Sequence, residues 1–438
     1  MTRAGENLDL NKIQNIHFVG IGGIGMSSLA RHFLFEKKVV RGSDRELTDL
    51  TKALASEGIQ VCCPQSADNI APDTELVIYT EAVTKGSDGW AELEQARKNG
   101  VPCINYFEAL GLAMNPYYLI AVAGTHGKTT TTAMLADIFE AAEKDPTVVV
   151  GSLRAKTQKN YRPGKSKYAI VEACEYKRDF LFLQPEMLVI TNLELDHVDY
   201  FKSLKDVQDA FKTLVANVPE DGYIVCNTKD PNVVPVIESA VAKVVDYTEF
   251  LDLQLALKQP GLHNKLNAAA ALTAAMQEKI DRNDASQALT EFAGTWRRYQ
   301  YKGELNGAPI YDDYAHHPTA VAMTIAATRE LYPNKQIVAV FKPHTYSRTV
   351  ALFDDFAKSF KGADRVCLLP IYGAREENVT GVSSRELAVK TLEYVSDAQY
   401  FDSHESLEKD LKSTLTPGDV LVVMGAGDVT VVADLLVS

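Results

Sequence analysis

Residues 124–130 read Gly124-Thr125-His126-Gly127-Lys128-Thr129-Thr130 and follow the apolar run Tyr117-Tyr118-Leu119-Ile120-Ala121-Val122-Ala123. This order predicts a strand, a glycine-rich turn with one lysine, and a helix opening Thr131-Thr132-Ala133-Met134-Leu135. Such a turn aims backbone N–H groups into one concavity, and the helix that follows adds its positive end. Lys128 then reaches the β- and γ-phosphates of a nucleoside triphosphate, and Thr129 offers a hydroxyl to Mg²⁺. The longer phosphate-loop pattern wants a glycine where this chain has Val122.

A second glycine turn lies near the start. Gly20-Ile21-Gly22-Gly23-Ile24-Gly25 follows the strand pattern Ile16-His17-Phe18-Val19 and precedes the helix pattern Met26-Ser27-Ser28-Leu29-Ala30. Asp44 stands 19 residues after Gly25, where an acidic side chain meets a ribose hydroxyl. The loop cradles a diphosphate attached to a nucleoside; NAD is one such molecule and a nucleotide substrate is another. Two phosphate loops in one chain imply two nucleotides.

Further polar groups stand at strand ends. Glu172 closes the run Tyr168-Ala169-Ile170-Val171, so its carboxylate faces the ligand crevice of an α/β sheet. Mg²⁺ takes hard oxygen ligands and keeps several waters, so Glu172, Thr129 and phosphate oxygens suffice. Leu188-Val189-Ile190-Thr191-Asn192 leads to Asp196-His197-Val198-Asp199, which makes His197 a second metal ligand or a phosphate contact. Arg297-Arg298-Tyr299 supplies guanidinium groups suited to bidentate phosphate contact. Asp312-Asp313-Tyr314-Ala315-His316-His317-Pro318 invites a zinc reading, yet its spacing matches no standard zinc signature. Asn267 is also well placed to cap the alanine-rich helix behind it.

The elements that must hold these residues alternate between strand and helix almost throughout, which predicts an α/β fold with parallel sheets. At 438 residues the chain exceeds one ordinary core. Three domains are expected: 1–113, 114–294 and 295–438. Ala113-Met114-Asn115-Pro116 reads as the first linker and Gly294 to Gly307 as the second boundary. Helices are expected over Asn267 to Met276 and near Ala285–Ala293. Hydrophobic content of 46% and charged content of 24% fit a globular enzyme. Met1 to Lys12 is polar, without the apolar core of a signal peptide, and no stretch is long enough to span a bilayer. Six scattered cysteines without a Cys-x-x-Cys pair fit reduced thiols, so a cytoplasmic setting is expected. A net charge of −13 argues against nucleic-acid binding.

Gly124-Thr125-His126-Gly127-Lys128-Thr129-Thr130 resembles the ATP loop of the Mur ligases, which join amino acids to a peptidoglycan precursor. The resemblance runs in motif order over about residues 15–435 and is nearest to the alanine-adding branch. It implies three domains: Rossmann-like and UDP-binding, central P-loop-type ATPase, and C-terminal Rossmann-like and amino-acid-binding. It implies that Gly20, Gly22, Gly23, Ile24, Gly25, Met26, Ser43, Asp44 and Thr80 hold UDP-N-acetylmuramate rather than NAD. Where the family has a Gly-His pair, this chain has Pro64-Gln65-Ser66.

Glu172-Ala173-Cys174-Glu175-Tyr176-Lys177 keeps the family's metal-binding glutamate, and His197 falls on its Asp-His pair. His263, Asn264 and Asn267 are implied to contact the adenine side of ATP. Arg298, Asp313 and His316 are implied to contact ATP as the third domain closes. Phe341-Lys342-Pro343-His344-Thr345-Tyr346-Ser347-Arg348-Thr349 and Tyr372-Gly373-Ala374-Arg375-Glu376 are similar to further motifs of that branch, with Lys342 where glutamine is usual. His344, Arg348 and Arg375 would surround the incoming amino acid, and Gly425-Ala426-Gly427 looks like the terminal glycine turn. The implied reaction is ATP- and Mg²⁺-dependent ligation of L-alanine, or another small amino acid, to the muramyl carboxylate through an acyl phosphate. The implied state is a monomer or homodimer. Rival readings are a recycling ligase that attaches a preformed peptide, an NAD-dependent oxidoreductase, and a nucleotide-binding regulator without turnover.

Overall fold

A computed structural model describes residues 8–374 and 376–437. Three twisted sheets follow one another along the chain, each with helices on both faces. Across the first sheet the strands run Gln60–Cys62, Val39–Ser43, Asn15–Val19, Leu76–Tyr79 and Cys103–Asn105, all parallel. The crossovers reverse direction beside Asn15–Val19, and ligands of open α/β sheets bind at such a switch.

The second sheet has seven strands. Tyr118–Ala123 lies at its centre between Met187–Ile190 and Tyr168–Glu172, parallel to both. One edge carries Tyr223–Cys226 and Lys243–Asp246. The other carries Thr147–Arg154 and its antiparallel partner Lys159–Arg162, a hairpin that the helix–strand alternation does not announce. Strands buried on both faces read as continuous apolar runs, and Leu119-Ile120-Ala121-Val122-Ala123 is wholly inaccessible. Behind the sheet, the helix Lys128–Ala141 buries eleven of its fourteen residues, partly against the alanine-rich helix Leu262–Gln277.

The third sheet places Ala308–Asp313, Asp419–Met424, Gln336–Phe341, Arg365–Leu368 and Ala398–Tyr400 in parallel, with Gln300–Leu305 antiparallel on the edge. Both boundary segments are built in. Ala113 and Met114 end the helix Tyr106–Met114, and Asn115 is pinned by hydrogen bonds to Phe182 O and from Gln184 N. Thr295 pairs with Arg154 of the second sheet before Gln300–Leu305 joins the third. The first two domains meet through Asn160, which donates to Ser27 Oγ and accepts from Arg31, while His32 pairs with Tyr161 at 3.1 Å.

Candidate active site

The strand Tyr118–Ala123 delivers the phosphate loop to the C-terminal edge of the second sheet. Gly124 has φ +129° and Gly127 φ +84°. A Cβ at Gly124 would stand 2.1 Å from Thr191 Oγ1, and one at Gly127 would stand 2.2 Å from Asn267 Oδ1. Glycine is therefore needed twice, for the left-handed backbone and for the close approach. The loop is braced from the neighbouring strand: Thr125 N donates to Asn192 O at 2.9 Å and His126 N to Asn192 Oδ1 at 3.0 Å. Lys128 opens the helix. Its ammonium donates to the carbonyls of Gly124 and Thr125 and lies 2.9 Å from the Glu175 carboxylate. Burial would lower its pKa, but Glu175 and its neighbours outweigh that and raise it, so the charge is held.

Thr129 donates to Glu172 Oε1 at 2.8 Å, and the second Glu172 oxygen accepts from Gly151 N at 2.6 Å. A hydroxyl and a carboxylate side by side at the helix start are the hard oxygens that suit Mg²⁺. His197, with φ +51°, stands elsewhere. It lies 3.8 Å from Glu175 Oε1 and packs on the Tyr176 ring at 4.8 Å. So the described contacts join Thr129 to Glu172, and separately join Lys128, Glu175 and His197.

The alanine-rich helix begins at Leu262, five residues before Asn267, with Gly261 as its N-cap. Asn267 is therefore not a cap. It sits in the second turn, linked at 3.4 Å to Asn264, which donates to Pro260 O at 2.8 Å. Burial, helped by His126, pushes His263 down to about 4, so its imidazole is neutral at pH 7.

From the third domain, the adjacent arginines diverge. Arg297 is buried on Asp312 at 3.1 Å and on the carbonyls of Gly425 and Gly427, so it fastens the terminal glycine turn. Arg298 crosses to the second domain and donates to Thr129 Oγ1 at 3.2 Å. Asp313 accepts from Tyr299 N and Ala315 N; burial raises its pKa to about 6 against the pull of Arg298. His316 binds Tyr314 O at 2.8 Å, and burial beside Arg348 keeps it neutral. His344 stands 3.2 Å from Arg348 and stacks on Tyr372; burial and Arg348 lower it to about 4. Arg348 crosses the interface to Asp196, donating at 3.0 and 2.8 Å. Burial alone would raise Asp196, but Arg348 and the nearby histidines hold it well below the usual range. Arg375 lies outside the described residues.

A cavity of about 760 Å³ unites these groups between the second and third domains; Lys128, Glu172, His197, Asn267, Arg298 and Arg348 all line it. Glu194, Asp196 and His317 also line it and were not among the expected site residues. The signal for Glu194 and Asp196 is their alternation just past a strand end, where an α/β sheet gathers its ligand contacts, and for His317 its place a few residues past the end of Ala308–Asp313.

The first glycine loop forms a separate site. Gly20 has φ +83°, and a Cβ there would stand 2.5 Å from Thr80. A Cβ at Gly25 would stand 2.6 Å from the Tyr106 ring. Gly22 N donates to Asp44 Oδ2 at 2.7 Å. The helix Ile24–Phe35 has Gly23 as its N-cap, with no side chain capping it. The Ser43 hydroxyl turns inward to Glu92 at 2.7 Å, and Met26 is buried.

The chain matches the Mur ligase family catalytic domain over residues 15–118, the Mur ligase middle domain over 122–250, and the Mur ligase glutamate ligase domain over 297–427. It is 39% identical to the UDP-N-acetylmuramate–L-alanine ligase of Agathobacter rectalis, with 98% of each chain covered. It is 38% identical to the enzyme of the same name from Caldanaerobacter subterraneus subsp. tengcongensis, covering 96% of this chain and 97% of the other. Among solved structures, UDP-N-acetylmuramate-alanine ligase MurC from Thermotoga maritima superposes with a TM-score of 0.79 at 28% identity, covering 97% and 98% of the two chains. A murein peptide ligase from Psychrobacter arcticus shares the fold, with a TM-score of 0.72 at 23% identity and coverage of 97% and 98%. With all three domains matched in order and relatives aligned end to end, the chain belongs to the Mur ligase family.

Proposed function

We propose that this Mur ligase joins L-alanine to the carboxylate of UDP-N-acetylmuramate with ATP, in peptidoglycan precursor synthesis in the cytoplasm. Residues 1–113 bind the sugar nucleotide, 114–294 bind ATP, and 295–438 bind the amino acid. The observation that carries the reading is the shared cavity, where Lys128 on one wall faces Arg298, His344 and Arg348 on the other.

The phosphate loop and Lys128 hold the β- and γ-phosphates. Asn264, Asn267 and His263 flank the adenine side, and Arg298 with Asp313 and His316 closes the pocket. Thr129 and Glu172 hold Mg²⁺, which supplies charge neutralisation on the triphosphate; His197 stands ready beside Glu175. The muramyl carboxylate attacks the γ-phosphorus, ADP leaves, and an acyl phosphate results. The alanine amine, oriented by His344, Arg348 and Arg375, then attacks the acyl carbon. Phosphate departs and the nitrogen loses its proton to solvent as the amide forms. Lys128 and the arginines work by position and charge, the usual means of phosphoryl transfer. A closed cavity keeps water from the acyl phosphate.

The test is ADP release assayed with each substrate omitted in turn. Turnover is expected only with UDP-N-acetylmuramate and a small amino acid together. Equal turnover without either, or a nicotinamide absorbance change, would overturn the proposal.

A further inference from the structure

Away from the Thr129–Glu172 pair, three side chains from three separate segments converge on one point. His126 stands in the phosphate loop, Glu194 follows the strand Met187–Ile190, and His317 caps the helix Pro318–Leu331 of the third domain. His126 Nε2 lies 3.3 Å from Glu194 Oε2, and His317 Nδ1 lies 3.7 Å from the same oxygen. The three ligand-type atoms all fall within 4.8 Å of one another. Two donors held about 2.1 Å from one Zn²⁺ at a tetrahedral angle stand about 3.4 Å apart. Two separations therefore already suit a shared metal, and a modest imidazole rotation brings the third into range. We propose that His126, Glu194 and His317 form a binding site for a Zn²⁺-class divalent cation that fastens the phosphate loop to the third domain.

The surroundings orient these groups for that task. His317 Nε2 faces the Leu195 carbonyl at 3.3 Å, so that nitrogen carries the proton and Nδ1 keeps its lone pair. Ligating histidines characteristically donate their other ring N–H to a carbonyl or carboxylate. Nδ1 now accepts a long 3.3 Å capping bond from Thr319 N, which a metal bond would replace. Thr319 Oγ1 donates to Glu194 Oε2 at 2.6 Å and aims the carboxylate. All three side chains line the cavity, with side-chain exposures of 16% for His126, 33% for Glu194 and 7% for His317, so water can fill the fourth position. Two imidazoles and one carboxylate favour borderline cations, whereas the all-oxygen Thr129–Glu172 pair favours Mg²⁺. The metal joins no step of the ligation.

Co²⁺ reports the site directly, because its visible d–d band is intense in four-coordinate nitrogen–oxygen sites and weak in octahedral ones. Untagged full-length protein is titrated with Co²⁺ in excess Mg²⁺. One intense band that saturates at a single equivalent and is displaced by Zn²⁺ is expected. His126→Gln, Glu194→Gln and His317→Asn should each weaken Co²⁺ binding at least tenfold, while Glu172→Gln should leave it unchanged. Asparagine keeps a good helix cap at position 317, and far-ultraviolet circular dichroism establishes that each variant is folded; should one not fold, the other two carry the comparison. Absence of the band, a band indifferent to all three substitutions, or loss of the band in Glu172→Gln would overturn the proposal. In the first case the cluster is only a hydrogen-bonded contact between His126 and Glu194.

Discussion

Asp196→Ala tests how the second and third domains are held together. Arg348 meets the Asp196 carboxylate at 2.8 and 3.0 Å, with Asp196 7% and Arg348 5% exposed. At 2.8 Å and an effective dielectric of about 20 the attraction is roughly 6 kcal/mol before desolvation. Desolvation offsets much of this, yet deleting one partner leaves a buried charge uncompensated, which costs about 3–5 kcal/mol. The pair spans two domains, so the cost falls on their closed arrangement; when the domains part, Arg348 regains water. The ratio of closed to open protein should drop by roughly two to three and a half powers of ten. Asp196→Asn, which keeps an acceptor but no charge, should fall between.

The assay is small-angle scattering together with the fluorescence of Trp296, whose backbone N–H donates to Leu153 O where the chain passes between the domains, in a Trp90→Phe background that leaves it as the one tryptophan. The kcat for ADP release should fall in parallel. Wild-type compaction and wild-type turnover in Asp196→Ala would refute the reasoning. Because Asp196 is held well below its ordinary value, the charge pair is present above about pH 4 and fails only as pH falls through the depressed folded pKa.

Lys128→Ala should lower kcat at least about a thousandfold, since it removes the lysine built into the phosphate loop, and should also lower the melting temperature, because the buried Glu175 carboxylate loses its partner. Glu172→Gln should raise the Mg²⁺ concentration needed for half-maximal ADP release, with little change in far-ultraviolet circular dichroism. Burial lowers His32 to about 4, so between pH 6.5 and 4 the unfolded chain binds more protons and stability falls as pH falls. The full loss approaches about 3 kcal/mol by pH 4, and His32→Asn should flatten that part of a denaturant-melt profile. Exchanging alanine for glycine in the ADP assay should cost roughly 1–3 kcal/mol in kcat/KM, the worth of one methyl group.

The fold was legible where the chain obeys simple periodicity. The run from Tyr118 to Ala123 and the turn from Gly124 to Lys128 stand where sequence order places them. The edge hairpin Thr147–Arg154 with Lys159–Arg162 was not, because its residues carry no helix between them and mimic one long strand with a loop. The first helix turn of Leu262–Gln277 was missed because His263, Asn264 and Lys265 look like loop residues; His263 and Asn264 line the cavity, and Lys265 reaches out to Leu253 O. At the site, single residues such as Glu172 could be read from strand ends. Pairings such as Arg348 with Asp196 lie 152 positions apart and depend on how two domains dock, which no local pattern encodes. Of two neighbouring arginines, only tertiary packing determines that Arg297 turns to Asp312 while Arg298 reaches Thr129.

The stitch at Thr295 has a mechanical corollary. Ala155 N donates to Gly294 O and Trp296 N to Leu153 O, so the chain leaving the second domain is held by a single antiparallel bridge to the edge hairpin of its sheet. Left-handed backbone at Gly294, Arg297 and Tyr299 then turns it into the third domain. Any swing of that domain therefore pivots beside Thr129 rather than at a distant tether. Arg298, beside that turn, reaches Thr129 from it directly, whereas His317 and Arg348 meet the second domain from segments farther along the chain. The turn and the hold on Thr129 are thus set by the same few residues.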